Sequence, residues 1–291
     1  MAYLKNQISK LILKILSLTE LNSNSQIHQI MIVNQYTLMK KLMTPQEMPS
    51  LKDVGFRVHS QFEEDGMLLY IFSIIGSSNK RVIELCAGSG ETCMASNLIL
   101  NHGWEALLLD GDKNNVDRGI QFFSRHKNTS LHPPIFKQAW LTTDNINQLI
   151  EENGFGGEVD LLSLDIDGND YHIMEAITVV KPRVIICETH NVIPSQMALT
   201  IPYKAEFNRL DGPHQDFSGV SLLGMSKLLK GRGYRLIGSS HHGFNAIFIH
   251  EGVGEDFFPE VTIDAVHDNP YTKSRVKSSW KKVKDLPWVE I

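Results

Sequence analysis

The chain has 291 residues, 42% of them hydrophobic and 21% charged, with a net charge of −5. That length suits one large α/β domain with a small appendage better than two full domains, and the negative charge argues against nucleic acid or an anionic membrane as partner. The three cysteines, Cys86, Cys93 and Cys187, lack zinc-ligand spacing and read as reduced thiols of a cytoplasmic protein.

Leu4, Ile8, Leu11, Ile12 and Ile15 recur at helical spacing, with Lys5, Lys10 and Lys14 between them. No continuous apolar stretch marks a signal peptide or a membrane span. The pattern predicts an amphipathic helix docked on its own domain or on a second subunit, so a homo-oligomer built through the N-terminal helices is an expectation. A polar break follows at Asn22-Ser23-Asn24-Ser25, and residues 1–59 read as a helical extension. Ser60 followed by Glu63 is a capping-box pattern that starts a helix running into the apolar stretch Met67 to Ile75.

From Arg81 onward short apolar runs alternate with helical stretches. Strands are predicted at Arg81–Cys86, Ala106–Asp110, Ile135–Ala139, Val159–Asp165 and Arg183–Glu188, with a helix over about Glu91–Asn101 after the first. Runs that are apolar almost throughout indicate a parallel sheet covered on both faces. Tyr234–Gly238 and Asn245–His250 are joined by six residues, too few for a crossover helix, and therefore pair as an antiparallel hairpin. The expected fold is thus a doubly wound, Rossmann-like α/β domain over residues 60–252, with a seven-stranded sheet closed by a C-terminal antiparallel hairpin. Residues 253–291 form a tail with six basic side chains between 273 and 284, and Trp280 and Trp288 are expected to dock on the domain.

The segment Glu84-Leu-Cys-Ala-Gly88-Ser-Gly90-Glu-Thr92 lies where the first strand ends. Two glycines there let the backbone turn sharply and approach a ligand that a Cβ would exclude. Asp110 ends the next strand, where a carboxylate can accept from both hydroxyls of a ribose. Glu84, Gly88, Ser89, Gly90, Thr92 and Asp110 are accordingly candidate cofactor residues. A dinucleotide fingerprint wants a third glycine at position 93, where this chain has Cys93. That departure weakens NAD and leaves S-adenosylmethionine untouched, because the latter has no pyrophosphate to seat.

Val82-Ile-Glu-Leu-Cys-Ala-Gly-Ser-Gly90 resembles the first cofactor motif of class I methyltransferases. Leu161-Leu-Ser-Leu-Asp-Ile-Asp-Gly-Asn-Asp-Tyr171 and Ser60-Gln-Phe-Glu-Glu-Asp-Gly66 resemble the FkbM-type group, whose characterised members are mostly O-methyltransferases of sugars and natural products. The resemblance spans roughly residues 60–250. It implies S-adenosylmethionine as cofactor, with Gly88 and Gly90 under its methionine part, Asp110 on the ribose, and Ala139 and Trp140 beside the adenine. The group usually has Val-Glu-Gly where this chain has Ile166-Asp167-Gly168, and often Glu where Asp110 stands.

Asp165 ends the fourth strand and points at the ligand crevice of an open α/β sheet, as a cofactor or catalytic residue. Asp167 and Asp170 are assigned to the start of the following helix. Glu188-Thr-His190-Asn191 ends the fifth strand on the same rim. Asp165, Glu188 and Asn191 offer hard oxygen ligands for Mg²⁺ or another divalent cation. His190 offers a general base, and the same residues could simply hold the loop. The long connection 189–220 reads as a lid, with Ile201, Tyr203 and Phe217 as apolar material for an acceptor pocket. The expected partner is a small-molecule acceptor. The competing readings are an NAD-dependent oxidoreductase on the same fold and a non-catalytic cofactor-fold binding protein.

Overall fold

The computed structural model describes residues 26–291; the amphipathic pattern of Leu4–Ile15 and the polar break at 22–25 lie outside the described residues. Seven strands form one sheet in the order β3-β2-β1-β4-β5-β8-β7. They are β1 (Arg81–Leu85), β2 (Glu105–Asp110), β3 (Ile135–Gln138), β4 (Gly157–Leu164), β5 (Val180–Glu188), β7 (Tyr234–Ser239) and β8 (Asn245–His250). Strands β1 to β5 are parallel. β8 inserts antiparallel between β5 and β7, so the expected hairpin closes the sheet, and the doubly wound, Rossmann-like layout is the one found.

Side-chain alternation explains why these strands look apolar throughout. Val82, Leu108, Leu161, Val184, Ile186 and Ile247 face one core. Ile83, Leu107, Leu162, Ile185 and Phe248 face the other. Both faces are covered, so both phases of the two-residue period must be hydrophobic. The first core is roofed by α1 (Gln26–Leu42), α2 (Glu64–Ile75), α3 (Ser96–His102) and α4 (Lys113–Arg125). The second is covered by α5 (Ile146–Glu152), α6 (Asp170–Ala176) and α7 (Leu222–Lys230).

Two helix starts differ from expectation, and buried carboxylates are the reason. Ser60 does not cap α2. The Asp65 carboxylate accepts from the amides of Val58, His59 and Ser60 at 2.6–2.8 Å, while the Asp65 amide donates back to Ser60 Oγ at 3.2 Å. The chain 57–63 is thereby folded into a loop and the helix begins at Glu64. Likewise α3 begins at Ser96 rather than near Glu91, because Glu84 takes the Met94 and Ala95 amides, each at 2.7 Å, and holds residues 91–95 as turns.

The tail is not a simple solvated helix. It forms α8 (Ile263–His267), α9 (Pro270–Ser278) and α10 (Trp280–Val283), then β9 (Val289–Glu290), which pairs antiparallel with β6 (Leu199–Thr200). Trp288 packs edge-on against Phe217, with ring centroids 4.6 Å apart, so the tryptophan docking is observed. The same contact puts Phe217 and Ile201 into a small core with Val283 and Trp288. They are unavailable as pocket lining, because burial against the tail satisfies them instead. Among the described residues no helix is long and apolar enough to cross a membrane.

Candidate active site

The site is built at the carboxyl ends of β1, β2, β4 and β5, where strand order reverses and a crevice must open. β1 runs into Cys86 and Ala87, whose amides both donate to the Leu109 carbonyl at 2.8 and 2.9 Å. The turn then passes through left-handed backbone at Cys86 (φ 69°), Gly88 (φ 56°) and Gly90 (φ 71°). The two glycines serve different ends. A Cβ on Gly88 would meet nothing within 4 Å, whereas one on Gly90 would lie 2.6 Å from the Phe123 ring. Gly88 thus borders open space, and Gly90 lets α4 pack onto the turn.

Asp110, buried at the end of β2, accepts from the Gly88 amide at 2.8 Å and the Asp112 amide at 2.9 Å. It also accepts from Asn115 Nδ2 at 3.2 Å. These bonds aim the carboxylate and tie the glycine turn to β2. Beside it lies a slot of about 80 Å³ lined by Cys86, Asp110, Ala139, Trp140, Ile166, Asn169 and Phe207. Ala139 and Trp140, expected at the adenine, do line it. The connection after β5 covers the slot. Trp140 Nε1 donates to the Ala205 carbonyl at 2.7 Å, Asn169 Nδ2 donates to the Lys204 carbonyl at 2.9 Å, and the Thr143 amide donates to Tyr203 Oη at 3.2 Å. The Phe207 ring rests directly on Gly168, leaving no room for a Cβ there. The lid reading of this connection therefore has a physical counterpart.

A second cavity, of about 450 Å³, shares Cys86 with the slot and is lined also by Ser60, Gln61, Glu84, Gly88, Thr92, Asp165, Asp167 and Asn245. Carboxylate oxygens of Asp165, Asp167 and Glu188 lie within 4.8 Å of one another at its edge. Burial and the negative charges of Asp170 and Asp167 raise the Asp165 pKa. Burial and Asp165 raise that of Glu188. Interaction with the Glu188 side chain offsets part of the rise at Asp165. Arg209, from the lid, pairs with Asp167 at 2.6 Å. Asp170 is instead structural: its oxygens accept from the Ile166 and Gly168 amides at 3.0 and 2.9 Å.

These contacts change several of the roles expected from the sequence. Glu84 accepts from the Met94 and Ala95 amides, one on each oxygen, so it shapes the turn as well as lining the second cavity, and burial raises its pKa to about 6. Ser89 lines neither cavity, and its hydroxyl lies 3.5 Å from Glu91. Asn191 lines neither cavity, and its Nδ2 donates to the His242 carbonyl at 2.9 Å. His190 is buried, bonded through Nε2 to the Asp216 carbonyl at 2.8 Å, and faces Trp288. Burial depresses its pKa to about 4, so it is neutral and structural where a general base was expected.

Sequence reasoning did not single out Asn245, Phe207 or Arg209, and it assigned Asp167 to a helix start where the fold puts it in the acid cluster. One signal was present. Asn245 opens β8, and the hairpin sets it opposite Glu188. Nothing in the sequence placed Phe207.

Residues 103–236 match the family model described as the methyltransferase FkbM domain. The match takes in Asp110, Ala139, Trp140, the Asp165–Asp170 segment, Glu188 and the lid, and leaves out the glycine turn. No protein of curated function matches the chain. Among solved structures the chain is similar to the N-terminal domain of EvdMO1 with bound S-adenosylhomocysteine, at 14% identity and a TM-score of 0.42, over 75% of this chain and 95% of that one. It is also similar to an S-adenosylmethionine-dependent methyltransferase from Clostridium acetobutylicum (10%, TM-score 0.40, 64% and 89%). A third is the magnesium protoporphyrin IX methyltransferase of Synechocystis with bound S-adenosylmethionine (12%, TM-score 0.36, 58% and 69%).

Proposed function

We propose that this chain, whose residues 103–236 match the methyltransferase FkbM domain, is an S-adenosylmethionine-dependent methyltransferase that methylates a hydroxyl of a small molecule, a sugar or a natural product, in the cytoplasm. The observation that carries the reading is that two neighbouring cavities share Cys86 as a wall. One has Asp110 and the Ala139–Trp140 edge of an adenosine-sized ligand, and the other has paired carboxylates where an acceptor must sit. Gly88 would lie under the methionine part and Thr92 at its edge. Residues 60–252 form the catalytic unit, flanked by the N-terminal extension and the tail. Ile27, Met31, Leu38 and Leu42 are exposed on α1, which supports pairing of N-terminal helices between two copies.

Methyl transfer is an in-line displacement. The acceptor O–H gives its proton to a carboxylate of the Asp165–Glu188 pair. S-adenosylmethionine, when bound, would supply an electrophilic sulfonium methyl for that oxygen, with S-adenosylhomocysteine as the leaving group. The cofactor carries the driving force, so the protein must align the two reactants, exclude water and take one proton. Asp110 fixes the cofactor end and the lid closes over it. A divalent cation such as Mg²⁺ belongs to the same reading, and when bound it would acidify a coordinated hydroxyl.

Calorimetric titration with S-adenosylmethionine, S-adenosylhomocysteine and NAD tests the cofactor. Binding of NAD alone would transfer the chain to the oxidoreductases, and binding of none of the three would favour a non-catalytic protein. A mass-spectrometric search of cell extract for a product heavier by one methylene tests the acceptor class. A product methylated on nitrogen or carbon would remove the hydroxyl assignment.

A further inference from the structure

The acid cluster at the rim has a fourth member that changes its chemistry. Asn245 is only 3% exposed, and its Oδ1 is buried without a hydrogen-bond partner. Its Nδ2 donates to Glu64 Oε1 at 2.7 Å, which fixes the amide and leaves the oxygen on the other side. Asn245 lines the same cavity as Asp165 and Asp167. Strand register explains the meeting. Leu164 is paired with Cys187 across β4 and β5, so the next positions, Asp165 and Glu188, stand side by side; Glu188 is in turn paired with Asn245 across β5 and β8. Cross-strand partners point to the same face of a sheet, so the three side chains form a row on adjacent strands, and Asp167 reaches it from the loop beyond β4.

An orphaned buried carbonyl oxygen costs about 1–3 kcal/mol, and neighbouring carboxylates repel unless something positive lies between them. Arg209 is bonded to Asp167 and its charge also acts on Glu188, so one cation faces three carboxylates. We infer that this row holds one hard divalent cation, ligated by Asp165, Asp167 and Glu188 and completed by the amide oxygen of Asn245. The donors are all oxygen, three of them anionic, which suits Mg²⁺, Mn²⁺ or Ca²⁺ and not a thiolate- or imidazole-seeking metal. Asn191 Oδ1 is also buried without a partner, but Asn191 does not line this cavity and its Nδ2 is held at the hairpin turn by the His242 carbonyl, so it takes no part. Asp167 would exchange Arg209 for the cation, so ion binding and the hold of the lid on the rim are linked. The inference rests on reading this rim as the acceptor side of the methyltransferase.

The test uses the full chain, stripped with EDTA and titrated with Mn²⁺ while the free-ion paramagnetic resonance signal is followed. One Mn²⁺ should bind per chain and be displaced by excess Mg²⁺. Asp165→Asn and Glu188→Gln should each weaken binding by about tenfold or more, Asn245→Ala by about tenfold, and Asn191→Ala should leave it unchanged. Circular dichroism checks that each variant folds. Should Asn245→Ala fail to fold, thermal melting decides: Mn²⁺ should raise the midpoint of the wild type and not that of Glu188→Gln. Absence of binding by about 1 mM Mn²⁺, the weak end of protein sites for such ions, would overturn the inference. So would binding that Glu188→Gln leaves intact, or loss in Asn191→Ala with none in Asn245→Ala. S-adenosylhomocysteine titration in EDTA separates the two claims. Cofactor binding without Mn²⁺ binding removes the cation and keeps the methyltransferase, whereas Mn²⁺ binding without cofactor binding does the reverse.

Discussion

Substituting Gly88 and Gly90 separately by alanine divides cofactor approach from packing. Both sit in left-handed backbone, at φ 56° and 71°, where an L-residue costs about 1–2 kcal/mol. At Gly88 that is the whole cost to stability, because the new Cβ meets no atom within 4 Å. At Gly90 the Cβ would lie 2.6 Å from Phe123 and 3.3 Å from Phe136, both of them buried in the core. Overpacking adds about 1–3 kcal/mol, for a total of about 2–5 kcal/mol. At roughly 2–4 °C per kcal/mol for a chain of this size, Gly90→Ala should melt some 5–15 °C lower and Gly88→Ala only a few degrees lower. The order reverses in calorimetric titration with S-adenosylhomocysteine. Gly88→Ala should lose about tenfold or more in affinity, since its methyl group enters the cavity where the methionine part would lie. Gly90→Ala should lose less, through distortion of the turn. Wild-type affinity in Gly88→Ala would show that this turn is not under the cofactor. Equal melting losses in the two variants would refute the division of roles.

Asp110→Asn removes the charge but keeps one acceptor, and should weaken S-adenosylhomocysteine binding by about tenfold; unchanged titration would end the ribose assignment. His190 is neutral in the fold, with a pKa of about 4 against an ordinary 6.5. Its contribution is therefore full above pH 6.5 and lost as pH falls toward 4, amounting to about 3 kcal/mol. Urea unfolding across that range should show a limb that His190→Phe flattens, and the same variant should keep most of its turnover; a dead variant with normal cofactor binding would restore the histidine as a base. At Asp160 burial acts to raise the pKa, but the amides of Ser78, Asn79 and Lys80 and the Arg183 guanidinium outweigh it and hold the carboxyl below its usual range. Its stabilisation is present above the usual carboxylate pKa and disappears on further acidification. Asp160→Ala should cost about 3–5 kcal/mol in urea unfolding at neutral pH, and a loss below about 1 kcal/mol would mean that the Arg183 pair contributes little. The slot of about 80 Å³ under Phe207 is smaller than the ~300 Å³ at which ligand pockets begin, so the ring must move to admit adenine. Phe207→Ala should speed S-adenosylhomocysteine association in stopped flow, and an unchanged rate would show that the ring does not gate entry.

The sequence alone determined the sheet. Near-continuous apolar strands, and a six-residue connection too short to cross over, leave few alternatives to five parallel strands closed by a hairpin. It also placed the glycine turn, Asp110 and Asp165, because residues at strand ends of an open α/β sheet face the crevice whatever surrounds them. Contacts between segments distant in the chain decided the rest. Glu84 became a turn anchor because the turn leading into α3 presents two amides to it, and His190 became a core residue because the tail, about a hundred residues later, packs Trp288 against it. Local pattern carries no information about such partners. Asn245 joined the acid row only through the register of β8 on β5, which pairwise hydrogen bonding between strands sets and no motif spells.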